Sequence, residues 1–404
     1  MTKIHTSPKN YLFLNWKDTG HPNAGGAEAV TWNILTSLVR SGHQVTLLTA
    51  KYPNSESFEI IDGIHVRRVG GRLTHYLQAP FYYHKHLKQQ HFDYLIEEVN
   101  TLPYLSGLWS SGITKRQLFY HQLAREVWFC EMFWPLNLVG FCIEPIYTFL
   151  QSVITPQVIT VSESTRDDLR RFGFKPSNIK IIPEIIETTP LEQYDSSLKT
   201  PDFTILFHSS LRSMKRPAEA IRAFGLFYKR HNLGTLWVSG GGDTSELQEL
   251  AIELNIFKQV KFFGRTTDEQ KVDLMQQATC LISTSLKEGW GLVVSEAGSQ
   301  ATPSICYNVD GLRDSCVFHG GLISEPTPSD MATELESMYQ IWHTRPELYK
   351  EMCNYALSQA KLLTSRSSYQ GFIEAISASP EASNPQPGEL NISNPKKQKS
   401  PYAL

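Results

Sequence analysis

Short apolar segments alternate with longer amphipathic segments along this chain, and the alternation runs through the sequence twice. The first series contains the segments YLFLNW, QVTLLTA, FDYLIEEV, RQLFYH, QVITVS and IKIIP, and the second contains FTILFHS, TLWVSGGG, QVKFFGR and TCLISTS. Between the first two segments, Ala27, Val30, Ile34 and Leu38 recur at spacings of three and four, which is typical of an amphipathic helix. The alternation predicts two α/β domains, each built on a parallel sheet.

Changes in composition predict where the domains begin and end. A polar, proline-containing segment at 186–201 separates the two series and indicates a linker between domains at 1–185 and 202–362. Beyond residue 378 the chain is rich in proline and has almost no large apolar residues. We therefore expect residues 379–404 to form a disordered tail, since such a segment cannot bury enough apolar surface to fold.

The charge balance and the cysteines restrict the possible functions. The 38 lysines and arginines against 40 acidic residues give a net charge of −2, so no nucleic-acid partner is expected. The six cysteines include no C-x-x-C pair, which indicates reduced thiols. Because the first residues lack the features of a signal peptide, we expect a cytoplasmic protein.

One apolar stretch, residues 133–155, resembles a membrane span in composition. Glu144 and Pro145 lie at its centre, and a central acidic residue costs about 2.5–3.5 kcal/mol on insertion scales. Buried helices are the expected outcome. A membrane-docking surface stays open as the alternative, because aromatic side chains suit a water–lipid boundary and several lie at the entrance to this stretch: Trp128, Phe129, Phe133 and Trp134.

The nucleotide-binding motifs of other α/β proteins are incomplete here. Two doubly wound halves place the carboxyl ends of their strands around a cleft where nucleotides commonly bind. Gly240, Gly241 and Gly242 follow a strand, but Ser245 stands where the dinucleotide fingerprint has its third glycine. The phosphate-binding pattern G-x-x-x-x-G-K-[ST] does not occur either.

The most informative stretch carries two glutamates, Glu288 and Glu296, between the end of a predicted strand and the start of a helix. With its flanking glycines, the segment EGWGLVVSEAGSQATP resembles the E-x7-E motif of family 4 glycosyltransferases. The resemblance covers residues 10–378. It implies the GT-B fold, an α/β architecture of two Rossmann-like, doubly wound parallel-sheet domains that face a cleft.

The resemblance assigns roles in donor binding to this segment. Glu288 is expected to accept hydrogen bonds from the hydroxyls of the donor sugar, and Glu296 from the ribose. Glycines let the backbone approach a ligand closely, and the N–H groups at a helix start attract a diphosphate. The intervening residues are therefore expected donor contacts: Gly289, Trp290, Gly291 and Leu292.

Two further segments resemble donor-binding segments of the family. Gly25 and Gly26 lie between the first strand and the first helix, where backbone N–H groups could reach the donor phosphate. Lys215 matches the family lysine that contacts the diphosphate. The family arginine is missing, because Ser210 occupies its place, and Arg212 follows two residues later. Either Arg212 substitutes for it or the activity is weakened.

The remaining candidates follow predicted strands of the first domain. His121, at the end of RQLFY, matches a family histidine that contacts the donor sugar and phosphate near the reacting carbon, so we predict a catalytic role for it together with Glu288 and Lys215. Polar residues after this strand and the preceding one are acceptor candidates: Glu97, Glu98, Asn100, Arg125 and Glu126.

The combined prediction is a retaining glycosyltransferase that moves a hexosyl unit from a nucleotide-diphosphate sugar to an acceptor hydroxyl. The expected acceptor is a polysaccharide, a glycolipid or a lipid-linked glycan, and the expected location is the cytoplasm, including the inner membrane face. No metal or cofactor is predicted, since the chain has no D-x-D pair. The resemblance also implies that a helix at 363–378 crosses back to the first domain.

Two alternatives to this function remain. The chain could be a non-catalytic GT-B partner that binds a nucleotide-sugar or acts as a scaffold for another transferase, as Ser210 at the arginine position suggests. It could also be another GT-B enzyme, such as an epimerase, which needs no acceptor, or a phosphorylase, for which no pyridoxal-binding lysine is identified.

Overall fold

The computed structural model describes residues 7–113 and 115–377 of the chain. These residues form two compact units. Of the described residues, unit 1 contains 7–113, 115–125, 138–185 and 365–377, and unit 2 contains 126–137 and 186–364. The tail predicted at 379–404 lies outside the described residues.

Unit 1 is built on a sheet with eight strands among the described residues, in the order β3-β4-β2-β1-β5-β6-β7-β8. The strands are β1 (Asn10–Leu14), β2 (Gln44–Thr49), β3 (Phe58–Ile61), β4 (Ile64–Arg68), β5 (Tyr94–Val99), β6 (Lys115–Tyr120), β7 (Val158–Thr160) and β8 (Ile179–Ile181). All neighbouring strands are parallel except β3 and β4. Because helices cover both faces of a parallel sheet, the central strands read as continuous apolar runs.

The helices of the first half are α1 (Gly26–Arg40), α2 (Thr74–Tyr82), α3 (Val127–Glu131), α4 (Leu136–Ile154) and α5 (Glu163–Arg171). A π-helical turn, Tyr83–Leu87, continues α2. On α1 the predicted apolar face is confirmed, since Val30, Ile34 and Leu38 are buried. The short helix α3 clusters with unit 2 rather than with the sheet that precedes it.

Unit 2 has a six-stranded, wholly parallel sheet in the order β11-β10-β9-β12-β13-β14 within the described residues. Its strands are β9 (Thr204–His208), β10 (Thr235–Ser239), β11 (Val260–Gly264), β12 (Cys280–Ser283), β13 (Ser304–Tyr307) and β14 (Leu322–Ser324). Its helices are α6 (Pro217–His231), α7 (Ser245–Glu253), α8 (Asp268–Gln277), α9 (Leu292–Ser299), α10 (Leu312–Phe318), α11 (Pro328–Thr344) and α12 (Pro346–Ala360). The two doubly wound sheets confirm the predicted fold class.

The last described helix, α13 (Ser365–Ser377), returns to unit 1. It packs beside α1, and its buried Phe372 stacks on Phe13 of β1 with the ring centroids 6.0 Å apart. Gly371 lies against Ile182 and Pro183, which follow β8. Unit 1 is therefore completed by a segment that lies far away in sequence.

The prediction of buried helices over residues 133–155 is wrong for α4. The buried side chains of this helix are polar or amphipathic: Glu144, Tyr147, Thr148 and Gln151. Most of its large apolar side chains are exposed. Among the described residues, α4 is the one helix long and apolar enough to cross a membrane, and 22% of its most apolar window is buried.

Candidate functional site

In unit 2 the order of strand addition reverses between β9 and β12, which are neighbours in the sheet. Ligands of open α/β sheets bind beside the carboxyl ends of the strands at such a reversal. The loop after β9 carries Lys215, and the loop after β12 carries Glu288. The topology therefore brings together two residues that lie 73 positions apart in sequence.

Lys215 and Glu288 form an ion pair, in which the Lys215 ammonium donates to Glu288 Oε1. Ser285 Oγ donates to the same carboxylate oxygen over 2.6 Å. Thr284 Oγ1 donates to the main-chain carbonyls of Lys215 and Arg216, over 3.0 and 2.9 Å. These bonds tie the two loops together, so Glu288 is held in place before any ligand arrives.

A glycine turn joins Glu288 to helix α9. Gly291 is the N-cap residue and has a positive φ of 86°, which glycine adopts without strain. Because glycine has no side chain, the N–H groups that open α9 at Leu292 are left to a ligand. Gly311, which precedes α10, packs against the backbone of this turn: a Cβ at Gly311 would lie 2.0 Å from the carbonyl oxygen of Glu288. This close backbone packing also fixes the turn.

The Trp290 side chain does not fit the role predicted for it. Its ring is buried, and its indole Nε1 donates to Ser295 Oγ over 2.8 Å. His319 Nε2 lies 2.9 Å from the same Ser295 oxygen. The indole is therefore a support behind the turn, and Trp290 can reach a donor only through its backbone, as can Gly289.

Glu296 is the fifth residue of the eight-residue helix α9 and forms an ion pair with Lys271 of α8 at 2.8 Å. Burial raises the pKa of Glu296, while the charge of Lys271 opposes that rise. Lys271 also lines a cavity of about 410 Å³ formed by residues 187–189, 268–269 and 271–273. A pocket therefore opens at Lys271, the ion-pair partner of the second glutamate of the motif.

Ser210 and Arg212 lie in the loop after β9. Arg212 Nε donates to Ser210 Oγ over 3.2 Å, and its Nη1 lies 3.9 Å from Glu131. The glycine turn after β10 supports this loop, because a Cβ at Gly240 would lie 1.7 Å from the carbonyl oxygen of Ser209. The exposed Arg212 guanidinium therefore occupies the space beside the serine that replaces the family arginine.

Unit 1 has its own reversal, between β1 and β5. Asn15 follows β1, Glu98 lies at the end of β5, and His121 follows β6. Asn15 Nδ2 donates to Glu98 Oε2 over 2.6 Å, and Asn100 Nδ2 donates to Asn15 Oδ1 over 3.1 Å. His121 Nε2 lies 4.0 Å from Glu98 Oε2. Asn15, Glu98 and His121 form a buried polar cluster at the carboxyl edge of the sheet, and the partly exposed Asn100 is bonded to it.

His121 lies between two carboxylates and is itself almost fully buried. Its Nδ1 is 3.2 Å from Glu184 Oε1, and its ring stacks on Phe119. Burial alone would lower the pKa of His121, but the contact with Glu184 and the charge of Glu98 raise it above the ordinary value. Nε2 is buried and has no hydrogen-bond partner among the described residues, and a role for it in donor binding stays a prediction.

Glu97 is not placed to bind an acceptor. Its carboxylate is fully buried and accepts hydrogen bonds from the backbone N–H groups of Tyr104, Leu105 and Ser106, at 2.8, 3.1 and 2.9 Å. Gln151 Nε2 donates to it as well, over 2.9 Å. Adjacent strand residues point to opposite faces, so Glu97 anchors a loop on one face of the sheet while Glu98 joins the His121 cluster.

Arg125 also has a structural environment. Its guanidinium lies 4.1 Å from the centre of the Phe141 ring, and its Nη1 donates to the Phe141 carbonyl oxygen over 3.1 Å. Glu144 Oε2 is 3.8 Å from the same nitrogen. Packing against α4 thus occupies Arg125, whereas Glu126 is exposed and Asn100 is partly exposed, so both stay predicted acceptor contacts.

The glycine-rich loop precedes α1. Gly25 is the N-cap residue, and its N–H donates to Glu28 Oε2 over 2.7 Å, while Lys17 lies 3.1 Å from the same carboxylate oxygen. The nearest atom to a Cβ at Gly25 would be that Glu28 oxygen, at 3.7 Å. The fold itself therefore does not require glycine at this position, and close approach of a ligand at Gly25 and Gly26 stays the prediction.

Sequence reasoning missed three residues at these sites, namely Asn15, Glu184 and Lys271. The first two follow the carboxyl ends of β1 and β8, so the rule that selected His121 also applies to them. Lys271 lies on a helix, and its sequence gives no comparable signal. The described residues contain no cluster of three or more His, Cys, Asp or Glu side chains that could hold a metal ion.

Both halves of the chain match known protein families. Residues 24–189 match the family model "Glycosyltransferase Family 4", and residues 191–359 match "Glycosyl transferases group 1". An uncharacterized glycosyltransferase of Methanocaldococcus jannaschii is 22% identical over 357 residues, which cover 80% of this chain and 87% of that relative.

Solved structures resemble the whole described chain. Sucrose-phosphate synthase from Thermosynechococcus elongatus matches with a TM-score of 0.71 and 18% identity, over 92% of this chain and 100% of that one. The Anabaena protein HepE in complex with UDP-glucose matches with a TM-score of 0.66 and 17% identity, over 91% and 99%. These similarities confirm the predicted GT-B fold.

Proposed function

Because this chain belongs to the family 4 glycosyltransferases, we propose that it transfers a hexosyl unit from a nucleotide-diphosphate sugar to an acceptor hydroxyl, with retention of configuration at the transferred carbon. Glycosyl transfer itself follows from the family. The donor class, the stereochemistry and the acceptor are proposals. They rest on the residues at the strand-order reversals of the two units.

The observation that carries the proposal is the pairing of Lys215 with Glu288 at the reversal in unit 2. Glu288 provides acceptor oxygens for sugar hydroxyls, and Lys215 provides a cation for a diphosphate. When a donor binds, its phosphate oxygens would attract Lys215, while Ser285 still donates to the carboxylate of Glu288. The UDP-glucose bound to HepE, a protein of similar fold, supports a nucleotide-sugar as the donor.

The leaving diphosphate is proposed to be stabilised without a metal ion. Lys215 supplies one positive charge, and the N-terminal N–H groups of α9 supply the positive end of a helix dipole. Arg212 is proposed to take the place of the family arginine, since it lies beside Ser210 with its guanidinium exposed. The backbone N–H groups of Gly25 and Gly26 would add further hydrogen bonds.

In the proposed reaction the bond from the sugar carbon to the diphosphate oxygen breaks, and a bond from that carbon to the acceptor oxygen forms on the same face. The proton of the acceptor hydroxyl passes to the leaving phosphate. No side chain acts as a nucleophile. His121 would bind the donor sugar and phosphate through its Nε2 atom, while Glu184 holds Nδ1 in a fixed orientation.

We further propose that the acceptor is a growing polysaccharide, a glycolipid or a lipid-linked glycan, and that transfer takes place in the cytoplasm at the inner membrane face. Asn100 and Glu126 are the remaining candidate acceptor contacts. The exposed apolar face of α4 supports a location close to lipid.

Calorimetric titration with UDP-, GDP- and ADP-sugars tests the donor site. We expect one nucleotide series to bind, and Glu288→Gln and Lys215→Ala each to weaken the binding about ten- to hundredfold, because a hydrogen bond to a charged group is worth about 1.5–3 kcal/mol. Glu249→Gln, an exposed glutamate of α7, is the matched control and should bind like the wild type.

Two results would contradict the proposal. If the folded wild type binds no nucleotide-sugar, the scaffold alternative gains, with Ser210 as its first explanation. If a donor binds and is converted without any acceptor, the protein is an epimerase. Release of nucleoside diphosphate that depends on an added acceptor, together with the anomeric configuration of the product, would support transfer with retention.

A further inference from the structure

Helix α4 turns its polar side chains toward unit 1 and its apolar side chains toward solvent. Ile146 and Val153 are 67% and 65% exposed, whereas Glu144 is 2% exposed and Gln151 fully buried. The exposed side chains on this outer face recur at helical spacing: Val139, Ile143, Ile146, Phe149, Leu150 and Val153. A surface helix of a globular protein normally has the opposite arrangement.

The polar contacts of α4 fix this orientation. The Glu144 carboxylate accepts hydrogen bonds from the backbone N–H groups of Ala124 and Arg125, over 2.6 and 2.7 Å. Tyr147 Oη donates to the Thr101 carbonyl oxygen over 2.6 Å. Rotating the helix to bury its apolar face would leave these buried polar groups without partners, which is costly. The apolar face is therefore exposed as a consequence of the fold.

Gln151 extends the same set of contacts toward the C-terminal end of α4. Its Oε1 accepts a hydrogen bond from the Tyr120 hydroxyl over 2.5 Å, and its Nε2 donates one to the Glu97 carboxylate over 2.9 Å. One side of the helix is thus bonded to protein along most of its length. A helix in this position lies along a membrane surface more readily than it crosses the membrane, because a crossing would draw the polar groups of unit 1 that are bonded to it into the hydrocarbon.

A second exposed apolar ridge lies on α2 and the residue before it. Leu73, Leu77 and Phe81 are exposed at a spacing of four, so they line one side of the helix. His75 of α2 contacts Tyr104, whose N–H is bound by Glu97. Because α4 is bonded to Glu97 as well, α2 and α4 are anchored to the same loop of unit 1.

Positive charge accompanies the α2 ridge. Arg72, Lys85 and Lys88 are exposed, and residues 69–92 contain no aspartate or glutamate. Two copies of this chain that met through the ridge would bring like charges together. Anionic lipid headgroups, in contrast, would complement the charge while the acyl chains cover the apolar side chains.

We propose that the outer face of α4 and the apolar ridge of α2 form a docking surface for a membrane that contains anionic lipid. This inference rests on the proposed function in one respect, since a lipid-linked acceptor would be presented at such a surface. The sequence prediction placed such a surface on the apolar stretch that contains α4 and on the aromatic residues at its entrance. Of these aromatic residues Trp128 is buried, whereas Phe129, Phe133 and Trp134 are exposed and belong to unit 2.

Vesicle flotation of the full chain tests the surface, with phosphatidylcholine vesicles with and without phosphatidylglycerol. The wild type should float with the anionic vesicles. The double variant Ile146→Glu, Val153→Glu should have an affinity for these vesicles that is lower by about tenfold or more, because it places two charges at the lipid boundary. Ile252→Glu, at an exposed isoleucine of α7 in unit 2, is the matched control and should bind like the wild type.

The electrostatic part has its own variant. Lys85→Gln combined with Lys88→Gln should lower binding to the anionic vesicles about tenfold and leave binding to phosphatidylcholine nearly unchanged, since each cation near an anionic surface contributes separately. Calorimetry with the donor sugar in the absence of vesicles should give wild-type affinity for every variant. That control separates failure of the docking surface from failure of the proposed donor site.

Three results would overturn the inference. The wild type could fail to float with either vesicle type, or the α4 double variant could float as well as the wild type. Sedimentation could also show that the wild type is a dimer that dissociates in the α4 double variant. In that last case the apolar face would belong to a second copy of the chain.

Discussion

Replacing Glu98 by glutamine tests the electrostatics of the His121 cluster. Glu98 is 1% exposed, and its Oε2 accepts one hydrogen bond, from Asn15. Its Oε1 makes no hydrogen bond of standard geometry among the described residues, and the nearby Thr31 hydroxyl is the one other side-chain donor that lowers the pKa of Glu98. A buried carboxylate with so few donors favours its neutral form, and burial raises the pKa of Glu98 to about 7, although the nearby His121 opposes that rise.

The size of the effect follows from linkage. The pKa of Glu98 rises from its ordinary value of 4.5 to about 7 on folding, so the folded state binds the proton more tightly than the unfolded state. The stability that this proton contributes is complete below pH 4.5 and is lost as the pH rises through 7. Between pH 5 and pH 8 the loss amounts to about 2.5 kcal/mol for one group with these two values.

Urea unfolding is carried out at pH 5 and pH 8 and is monitored by hydrogen exchange of the amides in β5 and β6. Because both strands belong to unit 1, the measurement gives the free energy of unfolding of that unit alone. Glu98→Gln keeps an acceptor for Asn15 but cannot ionise. We therefore expect the stability of the variant relative to the wild type to increase by about 2.5 kcal/mol from pH 5 to pH 8. Glu249→Gln on α7 is the control for loss of an exposed carboxylate. A relative stability of Glu98→Gln that does not change with pH would refute the reasoning.

Three further substitutions test other contacts. Glu184→Gln removes the carboxylate that helps to raise the pKa of His121, so any limb of the pH–rate profile that belongs to His121 should move to lower pH. Lys271→Met removes the ion pair that opposes the burial of Glu296, and calorimetry should show about tenfold weaker binding of the nucleoside diphosphate, with a larger loss at low pH. Glu144→Gln should destabilise unit 1 by about 2 kcal/mol, measured as faster hydrogen exchange at residues 124–126, because an amide replaces a carboxylate that accepts two backbone N–H groups.

The sequence is sufficient to predict two parallel-sheet domains and the strands that carry the candidate residues, although β3, β4, β13 and β14 are not among the predicted segments. Each apolar segment of the two series lies on a strand, and the glycine turn at 289–291 precedes a helix as expected. The contact between Lys215 and Glu288 depends on the order of the strands in the sheet, and this order cannot be deduced from the pattern of apolar segments. Only the pairing of β9 with β12 makes the two loops neighbours.

Glu97 and Glu98 illustrate a different limit. Both end the same strand, and composition gives no reason to choose between them. A strand directs successive side chains to opposite faces, so one of the two must leave the His121 cluster. The sheet alone cannot assign the faces, because the assignment depends on which helices pack on each side. Glu97 lies on the side of α4, where Gln151 reaches it, and Glu98 lies with Asn15.

The orientation of α4 could have been predicted from its polar residues. Glu144, Tyr147 and Gln151 recur at spacings of three and four, which places them on one face of a helix. Judged by its total apolar content, the stretch predicts burial, and this prediction was wrong. The positions of the few polar side chains carry more information than the number of apolar ones, because each buried polar group needs a specific partner.

The two faces of α4 can be separated by experiment because they act on different parts of unit 1. Glu144 binds the backbone of Ala124 and Arg125, three and four residues after His121, so a change at Glu144 should disturb the loop that carries the histidine. Ile146 lies two residues further along and faces solvent, so a charge there should affect only vesicle binding. If transfer to a water-soluble acceptor falls for Glu144→Gln and is unchanged for Ile146→Glu, while vesicle binding falls only for Ile146→Glu, the polar face serves the donor site and the apolar face serves the membrane.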